Sequence, residues 1–202
     1  MLECRGITFS YDKNHKKLFQ DIDLKINPGE IVGMPGPSGQ GKSTLAKVLS
    51  GYLQPQVGTV LVDGSPLPAG KNPVQLIFQN PEHAVNPHWN VRKILNEGGI
   101  INPELSKNFG IQNFWLDRFP HELSGGELQR ICLVRALCSN LRYLICDEIT
   151  SMLDALTQAG IWHSLLQEIE KRQLGVLVIS HDNALIARLC SRVVHFFEDT
   201  GK

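Results

Sequence analysis

The sequence predicts an α/β protein whose central sheet is mostly parallel. Several apolar runs have the length of strands, and four of them end in polar residues or in a glycine-rich turn. Stretches with the helical spacing of apolar residues lie between these runs, and strands that alternate with helices form parallel sheets. A length of 202 residues fits one domain of this class, with room for a subdomain. The four runs are 31–34, 74–78, 143–146 and 174–179.

The first part of the chain predicts a second, smaller sheet. Residues 2–9 alternate loosely between apolar and polar types, and residues 22–26 alternate strictly, which is typical of a half-exposed strand. A polar turn at 12–17 separates the two, and 58–62 is a further strand followed by a turn. We expect these early strands to form an antiparallel sheet beside the parallel one.

One helix pattern has a clear apolar face. Between 154 and 172, the side chains of Leu156, Ile161, Leu165 and Ile169 recur at near-helical spacing. Core packing explains them without any cofactor, so all four are expected to be buried.

The loop between the strand at 31–34 and the helix at 44–49 fits G-x-x-x-x-G-K-[ST] at every fixed position. Its three glycines allow backbone N–H groups to fold around a phosphate chain, and the helix N-terminus adds a partial positive charge. Lys42 can reach the outer phosphates, and the Ser43 hydroxyl can ligate Mg²⁺. The alternative is a chance match in a glycine-rich turn, which the strand before the loop and the helix after it argue against.

A second motif, L-S-G-G-E, covers residues 123–127. Ser124 is placed to cap a helix from about Gly126 to Ser139, with Glu127 three positions later as in a capping box. The N-terminus of such a helix is an anion site. The alternative is an ordinary capped helix, and the pentapeptide becomes specific only together with the phosphate loop.

Two later strand patterns place candidate catalytic groups at their ends. The run 143–146 is followed by Asp147 and Glu148, and the run 174–179 leads to His181. In a doubly wound sheet the carboxyl ends of the strands border the ligand crevice. Asp147 can then hold Mg²⁺ through water, and Glu148 can polarise an attacking water. The alternatives are a strand that ends in solvated acids and a structural histidine.

The composition argues against several other classes of protein. Lys and Arg number 20, as do Asp and Glu, so the net charge is zero and no nucleic-acid partner is predicted. The residues after Met1 lack the apolar segment of a signal peptide, and no apolar run is long enough to span a bilayer. The five cysteines show no C-x-x-C spacing, which favours buried free thiols in a reducing compartment.

Taken in order, these motifs resemble those of the ATP-binding cassette (ABC) ATPases, the motor subunits of ABC transporters. The resemblance covers nearly the whole chain, from Leu2 to about Phe197. The matching features are the aromatic residue Tyr11, Walker A at 36–44, the Q-loop Gln79, the signature at 123–127, Walker B ending in Asp147 and Glu148, the D-loop at 151–154 and the switch His181.

The resemblance implies the P-loop NTPase fold of ABC ATPases. That fold has a mostly parallel core sheet with flanking helices, a small antiparallel β subdomain and a helical subdomain. For this chain it implies a single ABC ATPase domain over 1–202. The core would comprise 1–79 and 141–202, and the helical signature subdomain would comprise 80–140.

The resemblance also implies ATP and Mg²⁺ as ligands. Tyr11 would stack on adenine, and Ser43, Gln79 and Asp147 would serve Mg²⁺ and its waters. Glu148 would act as the general base on the lytic water, with Gln79 and His181 as the other catalytic residues. The ATP-binding residues would be Tyr11, Gly36, Ser38, Gly39, Gln40, Gly41, Lys42, Ser43 and Thr44.

In this family the site is built between two ATPase subunits, which are identical or sister chains. The signature would bind the ATP held by the opposite subunit, through Ser124, Gly125, Gly126 and Glu127, and Asp154 would belong to the D-loop. The further partners implied are integral membrane permease subunits and an extracytoplasmic solute-binding protein. The chain would then lie at the cytoplasmic face of the cell membrane, held there by the permeases.

The finer resemblance is to the branch that imports peptides, nickel or metal–chelate complexes. It depends on F-Q-N-P at 78–81, V-N-P at 85–87 and F-P-H-E at 119–122. Two residues depart from the family pattern, since Ile149 replaces the usual proline and Met152 replaces a small residue of the D-loop. Members of this branch commonly carry a C-terminal extension, whereas this sequence ends at Lys202, soon after a predicted strand at 192–197.

Two other classes of protein are alternatives. A soluble ABC ATPase acting in DNA repair, translation or cluster assembly usually carries paired cassettes or a long coiled coil. Ser124 lies only 45 positions after Gln79 (124 minus 79), which leaves no room for such a coil. A P-loop GTPase or kinase would leave the motif at 123–127 unexplained, and no N-K-x-D guanine motif is present.

Overall fold

The computed structural model of the chain describes residues 1–12 and 17–196. Contacts along the chain group them into two compact units. The first comprises Met1–Leu76, Arg142–Asp147 and the described part of Gln173–Lys202, and the second comprises Ile77–Leu141 and Glu148–Arg172. The second unit therefore includes the long helix after the acidic pair as well as the segment before residue 141.

The first unit contains the parallel sheet that the sequence predicts. Its strands are β3 (Ile31–Pro35), β6 (Val74–Ile77), β7 (Tyr143–Asp147), β8 (Gly175–Ser180) and β9 (Arg192–Val193), in the order β6-β7-β8-β3-β9. The pairs β7–β8, β8–β3 and β3–β9 are all parallel. Every residue of β7 and β8 is buried, which explains their continuous apolar sequences. The sequence also predicts a final strand from Arg192 to Phe197, and Phe197 lies outside the described ranges.

The predicted antiparallel sheet is also confirmed. Its strands are β1 (Leu2–Phe9), β2 (Phe19–Ile26), β4 (Val57–Val62) and β5 (Ser65–Pro66), in the order β2-β1-β4-β5. Buried and exposed residues alternate along most of β2, in agreement with its alternating sequence. Two helices complete the first unit, α1 (Lys42–Leu49) and α6 (Asn183–Leu189). The predicted polar turn falls largely on 13–16, outside the described residues.

The second unit is helical. Its helices are α2 (Val91–Gly98), α3 (Pro103–Asn108), α4 (Gly125–Cys138) and α5 (Ala155–Arg172), with short 3₁₀ helices at Pro81–Ala84, Asn113–Trp115 and Pro120–Glu122. Helix α4 supplies much of the core, through Leu128, Ile131, Leu133 and Val134. Within residues 1–12 and 17–196, no helix has both the length and the apolar character of a membrane span.

One core prediction for α5 is wrong. Ile161, Leu165 and Ile169 are buried as expected, but Leu156 is 86% exposed. Leu156 precedes Ile161 by five residues, which on an α-helix turns its side chain about 140° away from the buried face. Spacing of three or four residues would have kept it on that face.

The five cysteines are all free thiols. Cys4, Cys132 and Cys146 are buried, and Cys138 and Cys190 are half-buried. Burial raises the pKa of Cys4 to about 12 and that of Cys132 to about 11, so both thiols stay protonated at neutral pH.

Candidate functional site

Strand register brings three predicted site elements of the first unit to one edge of the parallel sheet. Pro35, the last residue of β3, pairs with Ser180, the last residue of β8. Asp147, the last residue of β7, pairs with Ile179 of β8. The phosphate loop follows β3 and His181 follows β8, so both begin at the same edge as Asp147. This edge is the carboxyl end of the strands, where open α/β sheets bind their ligands.

The phosphate loop curls into a nest before α1. Gly36 has a φ of 141°, and a Cβ there would meet Gln40 Oε1 at 2.6 Å, so a side chain at this position would be both strained and crowded. Gly39 has a φ of 86°, and a Cβ there would meet no heavy atom within 4 Å, so there is open space beside the loop at this residue. Helix α1 begins at Lys42 and points its N-terminus at the loop.

The lysine of the loop is folded over it. Lys42 is 4% exposed, and its Nζ donates to the carbonyl of Pro37 at 2.5 Å. The ammonium group therefore lies over the loop, where its charge can meet an anion. Gln40 Oε1 is buried with no hydrogen-bond partner among the described residues. A positive charge, a helix N-terminus and open space together fit a phosphate chain.

The aromatic residue predicted for the nucleobase contacts the phosphate-loop helix. The Tyr11 hydroxyl and Thr44 Oγ1, in the first turn of α1, are 2.8 Å apart. The ring packs edge-on against Phe9 at 5.1 Å between centroids, yet Tyr11 is 70% exposed. One edge of the ring is thus held by protein while much of its surface faces solvent, as a stacking platform requires.

Asp147 and Ser43 are the metal-ligating candidates of the first unit. Asp147 is buried at the end of β7, and Ser43 is exposed in the first turn of α1. No group of three or more His, Cys, Asp or Glu able to hold a metal occurs in the part of the chain that the structure describes. Mg²⁺ commonly takes only one or two protein ligands together with substrate phosphates, so this sparse donor set fits that ion.

Gln79 and Glu148 of the second unit are in contact. Gln79 Nε2 donates to Glu148 Oε2 at 3.1 Å, although the two residues are 69 positions apart. Glu148 has a φ of 49°, a left-handed conformation that is uncommon for a residue with a side chain. Its carbonyl accepts from both Ser151 N and Ser151 Oγ, at 3.2 and 3.0 Å. Strand β7 ends at Asp147, so the two acids lie in different elements: Asp147 ends the strand and Glu148 begins a tight turn.

The signature forms the predicted capping box. The Ser124 side chain accepts from Glu127 N at 3.3 Å, and Glu127 Oε2 accepts from Ser124 N at 2.8 Å. Helix α4 starts at Gly125, one residue earlier than expected. The N–H groups of its first turn and the Ser124 hydroxyl thus lie together, as anion binding requires.

A pocket of about 480 Å³ lies beside the signature. All its lining residues belong to the second unit. Asp154 lines it and caps α5 by accepting from Leu156 N and Thr157 N. A hydrogen bond from the Thr157 side chain, reinforced by these N–H groups, lowers the pKa of Asp154, so this carboxylate stays charged. The lining residues are Gln79, Pro81, Trp115, Ser124, Gly125, Gly126, Glu127, Gln129, Arg130, Ile149, Met152, Leu153, Asp154 and Thr157.

The predicted site residues therefore fall into two groups. The first unit carries Tyr11, the phosphate loop, Asp147 and His181, and the second carries Gln79, Glu148, the signature and Asp154. The sequence did not single out Trp115, whose buried indole lines the pocket, or the hydrogen bond between Trp162 and Thr150. Trp115 lies in an apolar run without periodicity, which gave no signal of a pocket.

Comparison with known proteins places the chain. The ABC transporter family matches residues 19–151. The nickel import system ATP-binding protein NikE of Staphylococcus aureus (strain bovine RF122 / ET3-1) is 36% identical over 208 residues, covering 96% of this chain and 85% of that protein. NikE of S. aureus strain N315 is 35% identical over 207 residues, with the same coverage.

Solved structures share the fold. The ATP-binding cassette MJ0796, in a dimeric post-hydrolysis state bound to ADP and Pi, superimposes with a TM-score of 0.83. It is 24% identical and is matched over 98% of this chain and 94% of that one. The parallel sheet, the antiparallel sheet and the helices described above therefore form the P-loop fold of ABC ATPases. On its sequence match, the chain belongs to the ABC transporter family as an ATP-binding, ATP-hydrolysing subunit that resembles the nickel-importer branch.

Proposed function

We propose that the chain powers an importer of peptides, nickel or metal–chelate complexes by binding and hydrolysing MgATP. The observation that carries the cargo proposal is the 36% identity to NikE over 96% of the chain, since that protein is described as part of a nickel import system. The F-Q-N-P and V-N-P segments after β6 agree with the same branch. The cargo itself would be selected by other subunits.

ATP binding is assigned to the first unit. Tyr11 stacks on the adenine, held edge-on by Phe9. The N–H groups of the phosphate loop and Lys42 hold the β- and γ-phosphates. Ser43 and Asp147 of this unit would hold Mg²⁺ and its waters, and the family's motifs imply the same role for Gln79 of the second unit. When bound, the metal neutralises negative charge that develops on the phosphates during transfer.

Hydrolysis is assigned to Glu148, assisted by Gln79 and His181. Glu148 accepts a proton from the attacking water, and the amide of Gln79, at 3.1 Å from its carboxylate, orients that carboxylate. His181 holds the γ-phosphate from the end of β8. The support for this assignment is the Gln79–Glu148 contact together with the family's motif order.

The signature is assigned to the ATP of a second ATPase subunit, an identical or a sister chain. Its hydroxyl and N–H donors border an open pocket, and such donors favour an anion. ATP would then close the dimer and hydrolysis would open it, because the nucleotide makes contacts with both chains only in the closed state.

A role in import also implies membrane and extracytoplasmic partners. Integral membrane permeases would hold the chain at the cytoplasmic face of the membrane, and an extracytoplasmic solute-binding protein would deliver the cargo. The loop from Gln79 to about Val91 would pass the motion of the ATPase to the permeases. Arg135 secures this loop by donating to the carbonyl of Ala84 at 2.7 Å.

Uptake of radioactive nickel tests the transport proposal. Cells carrying the chain with its neighbouring genes would be compared with cells carrying Glu148→Gln, both grown in nickel-poor medium. We expect uptake of nickel to fall to background in the variant. Unchanged nickel uptake together with lost peptide uptake would assign peptides as the cargo, and unchanged uptake of both would contradict import.

The stacking role of Tyr11 predicts a graded effect on nucleotide affinity. Tyr11→Ala should weaken ATP binding about three- to tenfold, the range expected for loss of one aromatic stacking contact. Tyr11→Phe should retain most of the affinity, because it loses only the hydroxyl contact to Thr44. Equilibrium binding of ATP measures both, and Tyr52→Ala is the control, since Tyr52 is also an exposed tyrosine of the first unit. Wild-type affinity in Tyr11→Ala would show that the ring does not stack.

Ser124→Arg tests the assignment of the signature to a second subunit. The variant should bind ATP as an isolated chain within about twofold of wild type, yet lose ATP-driven pairing and turnover, because a bulky cation would collide with the opposing nucleotide. The matched control is Asn102→Arg, which introduces the same cation at the cap of α3 in the same unit. Loss of nucleotide binding by the isolated Ser124→Arg chain would contradict the two-chain site.

A further inference from the structure

We propose that Trp162 is a positioning residue for Glu148, acting through a buried hydrogen bond to Thr150. This inference rests on the proposed role of Glu148 as general base. Neither residue was expected at the site from the sequence. Three observations in the second unit support it. They are the backbone conformation of the turn at Glu148, the hydrogen bond between Trp162 and Thr150, and the burial of Ile149 between Glu148 and Thr150.

The turn that holds Glu148 is in an unfavourable conformation. A φ of 49° at Glu148 places a long side chain in the left-handed region, which is sparsely populated for such residues. Such a conformation persists only where surrounding contacts fix it. Hydrogen bonds from Ser151 N to the Glu148 carbonyl and from Leu153 N to the Thr150 carbonyl, both 3.2 Å, close the turn locally.

The Trp162 side chain anchors this turn to α5. Trp162 Nε1 donates to Thr150 Oγ1 at 3.1 Å, and the two residues are 4% and 3% exposed. Trp162 lies two turns into the 18-residue helix α5, so its indole starts from a rigid element. Because both partners are buried, breaking this bond would leave a polar atom without water to replace it. The position of Thr150 is thus fixed, and Glu148 is only two residues away.

Ile149 leaves the backbone beside Glu148 without the ring of a proline to restrain it. The usual proline at this position would fix φ near −65° through its ring. Isoleucine leaves that angle free, so the backbone between Glu148 and Thr150 must be restrained by other contacts. Ile149 is 4% exposed, so the packing of its own side chain restrains the backbone directly after Glu148. The Trp162–Thr150 bond restrains the backbone at Thr150, and Gln79 holds the Glu148 carboxylate itself.

Thr150→Val and Trp162→Phe test the proposal in the assembled ATPase. Each removes one partner of the bond while keeping most of the side-chain volume. We expect kcat to fall about three- to tenfold in each, the factor that corresponds to one hydrogen bond. The affinity for ATP should stay within about twofold, because the phosphate-binding residues are untouched. The double variant should lose no more than the worse single one, since both remove the same bond.

Two further variants separate positioning from simple loss of stability. Thr150→Ser keeps the acceptor oxygen and should retain wild-type kcat. Ser164→Ala removes another hydrogen bond of α5, a partly buried one from Ser164 Oγ to the Asn108 carbonyl at 2.7 Å, and should lower the melting temperature without changing kcat. If Ser164→Ala lowers kcat as much as Thr150→Val does, the effect is general destabilisation and the proposal is wrong.

The Glu148→Gln background distinguishes this inference from the assignment of the base. In that background Thr150→Val should change the residual single-turnover rate by less than about twofold, because the group being positioned is gone. An undiminished effect there would mean that Thr150 acts on another group and would overturn the inference alone. Wild-type hydrolysis by Glu148→Gln itself would instead overturn the role of Glu148. Wild-type kcat in both Thr150→Val and Trp162→Phe, with Glu148→Gln inactive, would also overturn the inference alone.

Discussion

Lys42→Ala is expected to abolish ATP turnover and to weaken ATP binding about ten- to a hundredfold, the range for loss of one charge-assisted hydrogen bond. The Lys42 ammonium lies over the phosphate loop, where it donates to the Pro37 carbonyl and is nearly buried. Its methyl replacement leaves the loop N–H groups in place but removes the only full positive charge that the loop sequence carries. Hydrolysis should need the Lys42 charge, because it stabilises the negative charge on the outer phosphates while the γ-phosphoryl group is transferred.

The measurement is ATP affinity by equilibrium binding and hydrolysis in the assembled complex. Lys47→Ala is the matched control, because Lys47 lies on the same helix, α1, in its last turn. It should bind and hydrolyse ATP as the wild type does. Near-normal ATPase activity in Lys42→Ala would contradict the assignment of the phosphate loop.

Glu148→Gln should separate binding from chemistry. The amide keeps the shape of the carboxylate and can still accept from Gln79 Nε2, but it cannot take a proton from water. Loss of a general base typically lowers the rate about 10²–10⁴-fold. Lys42, Ser43 and Asp147 are unchanged, so ATP should bind normally. Removing a negative charge near the γ-phosphate should also favour the closed dimer.

ATP affinity, single-turnover hydrolysis and sedimentation on the same preparation measure these effects. A sister ATPase would be included if the two subunits differ. Glu104→Gln is the control, since it makes the same chemical change at an exposed carboxylate of α3. Hydrolysis within about threefold of wild type, below the usual effect of a base, would move that role to an arrangement centred on His181. Slow hydrolysis without any gain in dimer would keep Glu148 as the base and discard the claim that its charge opposes closure.

Features that depend on local rules were predictable from the sequence. Ser124 and Glu127 are three residues apart, and that spacing alone sets the reciprocal hydrogen bonds of the capping box. The strands β7 and β8 are apolar throughout, which predicts burial on both faces and hence a parallel sheet. The position of Asp147 at a sheet edge followed from the same reasoning.

Features that depend on contacts between distant residues were not predictable. The Gln79–Glu148 hydrogen bond joins residues 69 positions apart, and the Trp162–Thr150 bond joins a helix to a turn. Neither spacing follows from a helical or strand period. The apolar run at 143–146 predicts that a strand ends at the two acids, but it does not reveal the positive φ at Glu148. Leu156 is apolar like a core residue, but its position around the axis of α5 turns it away from the buried face.

The central claim is that this ATPase site is completed by a second subunit, and sedimentation of two variants tests it most directly. Glu148→Gln and the double variant Glu148→Gln, Ser124→Arg would be compared in MgATP and in MgADP, with ATP binding measured on each and with the sister chain present if one exists. The account predicts that Glu148→Gln sediments as a dimer in MgATP and as a monomer in MgADP. It also predicts that the double variant binds the same amount of ATP yet stays monomeric. The account would be contradicted if the sedimenting mass of Glu148→Gln were the same in MgATP and MgADP. It would also be contradicted if the double variant still formed a dimer in MgATP.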